Sequence, residues 1–339
     1  MSLFQAQWQR HISSFPTRYQ RGEQIVHGSR LRPLLVALGY LLAGVDFDDA
    51  RRADVASLAV YVELLHKATI LIDDLIDDDS ARNGVESFHV QFSDNETILF
   101  AIYLLGDSLE RLALTAVNAH ANKWYLDITQ LLATAIKEMS SGAIEEVISA
   151  GDHLAIFAKA RRLIELQTIA LMKNGMLAGY KYGHGNEQHA TIIESLGYDS
   201  GYVFQVLNDL EPFLSEDLNA IHKGAVNFDI LRSRKNITVP FIYSRLSFSD
   251  RDSFHSLIQS ADPLLPSVLT GWFVKYNVLS DVVDNLVDVK TNIEANANLL
   301  PLDAQRRSGF CAFVNYVLSV AIRRIGAAYG EKLSEILIK

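Results

Sequence analysis

Cysteine is almost missing from this chain: Cys311 is the only one in 339 residues. A single thiol builds neither a disulfide framework nor a cysteine-rich metal site. The apolar neighbours Phe310, Ala312, Phe313 and Val314 predict that it is buried and inert. Proline is scarce too, with 7 residues against a usual share of about 5%. Four of them, Pro16, Pro33, Pro263 and Pro301, fall where helical patterns break, which favours long helices over a sheet. Positive charge is in deficit: 31 Lys and Arg face 40 Asp and Glu, a formal net charge of −9. A nucleic-acid-binding surface needs the opposite balance. No run of 18 uncharged apolar residues occurs, so no transmembrane segment is expected. Met1 to Gln20 lacks the apolar core of a secretion signal, and a cytoplasmic location is the expectation.

What the chain does have is helical periodicity. It recurs over residues 34–42, 54–76, 96–119, 123–148, 154–179, 190–210, 237–246, 250–260, 266–296 and 306–338. There is no repeat, no low-complexity tract and no linker, so one all-α domain, a helical bundle over 1–339, is expected.

The densest chemistry lies at Asp73-Asp74-Leu75-Ile76-Asp77-Asp78-Asp79, five carboxylates in seven residues after an apolar run. On a helix Asp73 and Asp77 share a face, as do Asp74 and Asp78. Like charges at that spacing cost about 0.2–0.5 kcal/mol per pair, and no basic residue is interspersed before Arg82. Hard divalent cations take such oxygens, and Mg²⁺ is typically held by one or two carboxylates plus substrate phosphates. A solvated acidic face is the plainer alternative. A second acidic stretch, Asn208-Asp209-Leu210-Glu211-Pro212, is expected to end another helix at its proline, and the two ends are expected to face each other across the bundle. Upstream, Gly28-Ser29-Arg30-Leu31-Arg32-Pro33 reads as a basic turn opening a helix with Pro33 at its first position. Arginines and free N–H groups there suit an anion such as a diphosphate, although a solvated basic cluster has the same composition.

In order, Gly28-x-Arg30-Leu31-Arg32-Pro33, His66-x-Ala68-Thr69, Asp73-Asp74-x-x-Asp77, Arg82-x-Gly84, His89 and Gly106-Asp107 resemble the trans-type polyprenyl diphosphate synthases. So do Phe204-Gln205-Val206-Leu207-Asn208-Asp209, Lys223, Asp229, Lys235 and Thr238-Val239-Pro240; the resemblance spans about residues 25–245. It implies an isoprenoid synthase fold, a homodimer, and three Mg²⁺ ions held by two aspartate motifs on an allylic diphosphate. Departure of that diphosphate leaves a carbocation, which the double bond of isopentenyl diphosphate attacks. Carried over, Asp73, Asp74 and Asp77 are the catalytic and metal-ligating aspartates, joined at the metal by Asn208 and Asp209. Arg82 meets the allylic diphosphate. Arg30, Arg32, His89, Gln205 and Lys235 are the remaining substrate-binding candidates. Ala68 and Thr69, small residues before the first aspartate, resemble the open tunnel of synthases that make longer chains.

The departures are chemical. Ser29 and Gln167 stand where the family usually has Lys, Asn83 where it has a second Arg, and Asn208 where the second motif has Asp. Each missing cation removes a phosphate contact of roughly 1.5–3 kcal/mol, unless Arg30, Lys67 or the basic residues 232–235 compensate. Three other functions therefore stay open: a class I terpene cyclase, with Asn208 and Glu216 as metal ligands and Arg162 as diphosphate sensor; a prenyltransferase with another acceptor; and a non-catalytic partner subunit. The intact first motif with Arg82 favours catalysis.

Overall fold

The computed structural model describes residues 2–44, 49–82, 84–118, 123–149, 153–214, 236–259, 265–322 and 333–338. It is almost wholly helical. The elements that position the site are α1 (Ser2–Ile12), α2 (Glu23–Val26), α3 (Leu31–Leu42), α4 (Asp49–Ile76), a two-strand hairpin of β1 (Ala81–Arg82) and β2 (Val85–Glu86), and α5 (Phe88–Gln91). Then come α6 (Asp94–Asn118), α7 (Lys123–Ile148), α8 (His153–Ile164), a π-helical turn (Glu165–Ile169), α9 (Ala170–Tyr182) and α10 (Ala190–Leu214). The C-terminal layer is α11 (Thr238–Arg245), α12 (Phe248–Gln259), α13 (Leu265–Lys275), α14 (Val278–Asn298) and α15 (Ala304–Ile322).

Helices α3 and α9 form the partition of the molecule, because each is apolar on two sides. Leu31, Leu35 and Leu38 with Met172 and Met176 face one core, which runs on through α10 to the C-terminal helices. Val36 and Tyr40 with Leu171 and Ala178 face the other, built on α1, α4, α6 and α7. The two helices touch backbone to backbone. A Cβ on Gly39 would lie 1.9 Å from the Met176 carbonyl oxygen, and one on Gly179 2.0 Å from that of Val36.

These contacts also fix directions. Gly39 meets Met176 and Gly183 meets Ala43, so α3 and α9 run parallel. Val62 packs on Gly175, while the Tyr182 hydroxyl donates to Asp54 at 2.7 Å, so α4 is antiparallel to both. Gly197 meets Lys173 and Gly201 meets Ile169, so α10 is antiparallel to α9. The start of α3, the end of α4, the π turn and the end of α10 therefore all lie at one end of the bundle.

Several local features differ from the sequence expectation. Helix α10 continues through Pro212 to Leu214. The 266–296 block is two helices, broken where Asn277 takes a left-handed conformation (φ 51°). Pro33 is the third residue of α3, where its missing N–H is still one that the helix leaves unpaired. Cys311 is exposed, not buried. Phe310 and Val314 point inward, and the next position after Phe310 is rotated about 100° out of the core. Arg51–Ile76 in α4 is, among the described residues, the one stretch long and apolar enough to cross a membrane, but 67% of its apolar window is buried inside the bundle. It is a core helix.

Candidate active site

The acidic run does not simply continue α4. Asp78 adopts a left-handed conformation (φ 54°), and the Asp79 N–H reaches back to the Asp74 carbonyl oxygen at 2.9 Å, a closure that ends the helix. Aspartates there oppose the helix dipole at a cost of about 0.3–1 kcal/mol each. A hairpin then turns the chain back, pairing Ala81 with Glu86 and Arg82 with Val85. The Asn83-Gly84 dipeptide was the readable signal for that turn; Asn83 itself lies outside the described residues.

The hairpin brings Arg82 onto the aspartates. Its Nη2 lies 2.8 Å from Asp73 Oδ2 and 2.5 Å from Asp74 Oδ1, and its Nε donates to Asp74 Oδ1 at 2.6 Å. The carboxylates thus do have a protein cation beside them, unlike the uncompensated acidic cage that the spacing suggests. Asp74 is buried, and its other oxygen accepts from Gln24 Nε2 at 2.6 Å. Gln24 also holds the start of α5, accepting the Phe88 N–H at 2.7 Å. No sequence signal marked Gln24. Asp73, with about a third of its side chain exposed at 35%, and the half-buried Asp77 carry the carboxylates open to a ligand. Among the described residues no three His, Cys, Asp or Glu side chains converge into a ready-made metal site. That arrangement fits Mg²⁺, which keeps most of its coordination for water and phosphate oxygens.

Beside this acidic edge lies a buried basic cluster. Arg32 Nη1 contacts His66 Nε2 at 2.8 Å, while its Nε and His66 Nδ1 are buried without a hydrogen-bond partner. Burial lowers the Arg32 guanidinium to about 10, opposed by Glu63 and reinforced by Arg82. Burial, with Arg32, Lys67, Arg82 and Arg30 around it, holds His66 well below the usual imidazole range, so it is neutral. His89 is also buried, its Nδ1 unpartnered and its Nε2 4.0 Å from Asp78. Arg30 is placed differently. It pairs with Glu63 at 2.6 Å, donates to the Val26 carbonyl and lies 4.5 Å over the Trp8 ring. These three contacts hold its guanidinium inside the fold.

On the α10 side, Gln205 Nε2 donates to Asp209 Oδ1 at 2.8 Å and the Ile237 N–H to Oδ2 at 2.8 Å. Asn236 and Thr238 bond the Asp209 carbonyl oxygen. Burial pushes the Asp209 carboxyl up to about 7, against those two hydrogen bonds. Asp209 therefore pins α10 to α11, and Asn208 before it is half-buried. Asp209→Ala strands a buried N–H and an amide, and is expected to lower stability by about 2 kcal/mol or more in urea unfolding. Asp209→Asn, which retains acceptor and shape, is expected to lower it far less. Gln167, in the π turn, donates to Glu146 at 2.9 Å. Arg162 is exposed and pairs with Glu145 at 3.2 Å. Lys235, Lys223, Asp229 and Glu216 lie outside the described residues.

The polyprenyl synthetase family pattern matches residues 18–263, and the chain belongs to that family. In class it is a prenyltransferase on the all-α isoprenoid synthase fold. It is 26% identical over 252 residues to a short chain isoprenyl diphosphate synthase of Methanothermobacter thermautotrophicus, covering 74% of this chain and 73% of that one. Other curated prenyl diphosphate synthases are spanned over 61–66% of their length. In structure it is similar to a decaprenyl diphosphate synthase from Rhodobacter capsulatus, with a TM-score of 0.77 at 21% identity over 94% of both chains. A geranylgeranyl pyrophosphate synthase from Corynebacterium glutamicum, solved with isoprenyl diphosphate and magnesium, gives 0.73 at 16% identity over 92% of this chain and 90% of that one.

Proposed function

We propose that the chain ionises an allylic diphosphate and condenses the resulting carbocation with isopentenyl diphosphate. One observation carries this reading: two unlike anion sites stand side by side at one end of the bundle. The acidic edge of Asp73 and Asp77 serves a diphosphate through Mg²⁺. The basic cluster around Arg32 and His66 holds unpartnered buried polar atoms and serves a diphosphate directly. A cyclase has one diphosphate to bind and no use for the second pocket, and Arg162 faces solvent.

The residues then take these roles. Asp73 and Asp77 place the metal-bound allylic diphosphate, and Mg²⁺ when bound draws off the charge of the leaving group. Asp74 and Asp209 are held by protein donors, so Asp73 and Asp77 are the carboxylates that would hold Mg²⁺. Arg82 exchanges an aspartate for the allylic diphosphate, Arg32 and His89 orient the acceptor, and the apolar bundle keeps water from the cation. The allylic C–O bond breaks, the acceptor's double bond forms the new C–C bond, and the proton lost goes to the released diphosphate.

A single cytoplasmic domain acting as a homodimer completes the reading. Ile98, Leu99, Ile102 and Tyr103 make an exposed apolar stripe on α6 suited to a second copy. Incubation with Mg²⁺ and each allylic diphosphate, with and without isopentenyl diphosphate, tests the function by product mass. Products one or more five-carbon units longer are expected only with both substrates. Cyclic hydrocarbons from the allylic diphosphate alone would overturn the reading in favour of a cyclase.

For product length, Ala68 is fully buried in the α4 core and Thr69 is half-buried, bonded to the His66 carbonyl oxygen at 2.9 Å. A tail of at least twenty carbons is expected. Ala68→Phe fills that position, costs about 1–3 kcal/mol of overpacking, and is expected to shorten the product by at least five carbons in chromatography. An unchanged length distribution removes Ala68 from the tail path.

A further inference from the structure

Lys67 is the group in the basic cluster that no motif accounts for. It sits on α4 next to His66, and its side chain is 5% exposed. Nζ donates to the Gln24 carbonyl oxygen at 2.6 Å and to that of His27 at 2.5 Å, and lies 4.0 Å from Glu63 Oε1. Those acceptors belong to the segment leading into Gly28, whose backbone (φ +147°) suits a residue without a side chain. A Cβ on Gly28 would lie 3.2 Å from Nζ. The ammonium therefore stands directly under the turn that carries Ser29.

Four cations, Arg30, Arg32, Lys67 and Arg82, face four carboxylates, Glu63, Asp73, Asp74 and Asp79, but the carboxylates are shared unevenly. Glu63 is taken by Arg30 at 2.6 Å. Arg82 is taken by Asp73 and Asp74. Lys67 and Arg32 remain, two buried cations with carbonyls, a neutral imidazole and a distant shared carboxylate for company. Burial lowers the Lys67 amine to about 8, opposed by Glu63 and reinforced by Arg30, Arg32 and Arg82. Buried charges left this way await a counter-ion, and two positive charges beside unpartnered polar atoms call for a multivalent anion.

We propose that Lys67 is a specificity-determining residue of the acceptor site, supplying from α4, beneath the Gly28–Ser29 turn, the positive charge that Ser29 does not bring. This rests on the condensation reading above. Lys67 acts on the diphosphate through the field at the turn and through the carbonyls it clamps, so it is a positioning residue and not a catalytic one.

Lys67→Met keeps the length of the side chain and removes the charge. The expected result is a rise of tenfold or more in KM for isopentenyl diphosphate, with KM for the allylic diphosphate unchanged. Binding of inorganic pyrophosphate to metal-free protein, followed by calorimetry, is expected to weaken by a similar factor. Ser29→Lys in the Lys67→Met background restores charge at the turn but not the ties to Gln24 and His27, and is expected to recover most of both losses. An unaltered pyrophosphate affinity in Lys67→Met overturns the proposal. So does a loss that Ser29→Lys fails to recover, since Lys67 is then only a clamp on the turn. A wild-type protein that binds pyrophosphate but never uses isopentenyl diphosphate overturns the condensation reading instead, and the pyrophosphate comparison still decides the role of Lys67.

Discussion

Asp73→Ala is expected to lower kcat/KM by about 10³-fold or more, which corresponds to about 4 kcal/mol of lost transition-state stabilisation. Asp77→Ala should follow it closely. Asp73 lies on the last turn of α4 and Asp77 directly after it, both outside the contacts that hold Asp74 to Gln24, so the fold is expected to survive their removal. Steady-state kinetics with saturating Mg²⁺ measures the loss, and circular dichroism checks that the helices remain. A second readout does not depend on turnover. Mg²⁺ together with inorganic pyrophosphate should raise Tm of the wild type by linkage, and the rise should vanish in Asp73→Ala. An Asp73→Ala variant as active as the parent, or turnover in the presence of excess EDTA, would show that the acidic run is a solvated helix end.

The second large effect is structural. Gly39→Ala and Gly179→Ala each place a methyl carbon about 2 Å from a carbonyl oxygen of the facing helix, where neither side can give by rotating a side chain. Separating α3 from α9 loosens both cores at once, since each helix contributes to both. A loss of about 3 kcal/mol or more is expected from each substitution, read as a lower midpoint in chemical unfolding. Gly106→Ala serves as the control, because a Cβ there meets nothing within 4 Å. Equal midpoints for Gly39→Ala and Gly106→Ala would refute the close approach of the two helices.

Much of the site was legible in advance because its parts are local. Asp73 and Asp77 share a face by helical period alone. The bundle followed from scarce proline and repeated apolar periods. What local pattern did not contain were the partners. Arg30 and Arg32 are two positions apart in one basic turn, yet one pairs inside the fold with Glu63 and the other stays with His66. Asp209 lies in an acidic stretch whose pattern says nothing of Ile237, 28 positions along the chain, yet the Ile237 N–H donates to its carboxylate.

By itself, then, the sequence determined the helices, the place of the acidic run and the family to which its motifs belong, since these rest on spacing within a turn or two. The tertiary structure decided which charges neutralise one another. Arg82 covers Asp73 and Asp74 because a hairpin folds it back, and Lys67 reaches the Gly28 turn because α4 passes beneath α3. The physical reason is that pairing depends on a few ångströms of separation and on burial, and both are set by how helices pack, not by the order of residues along any one of them.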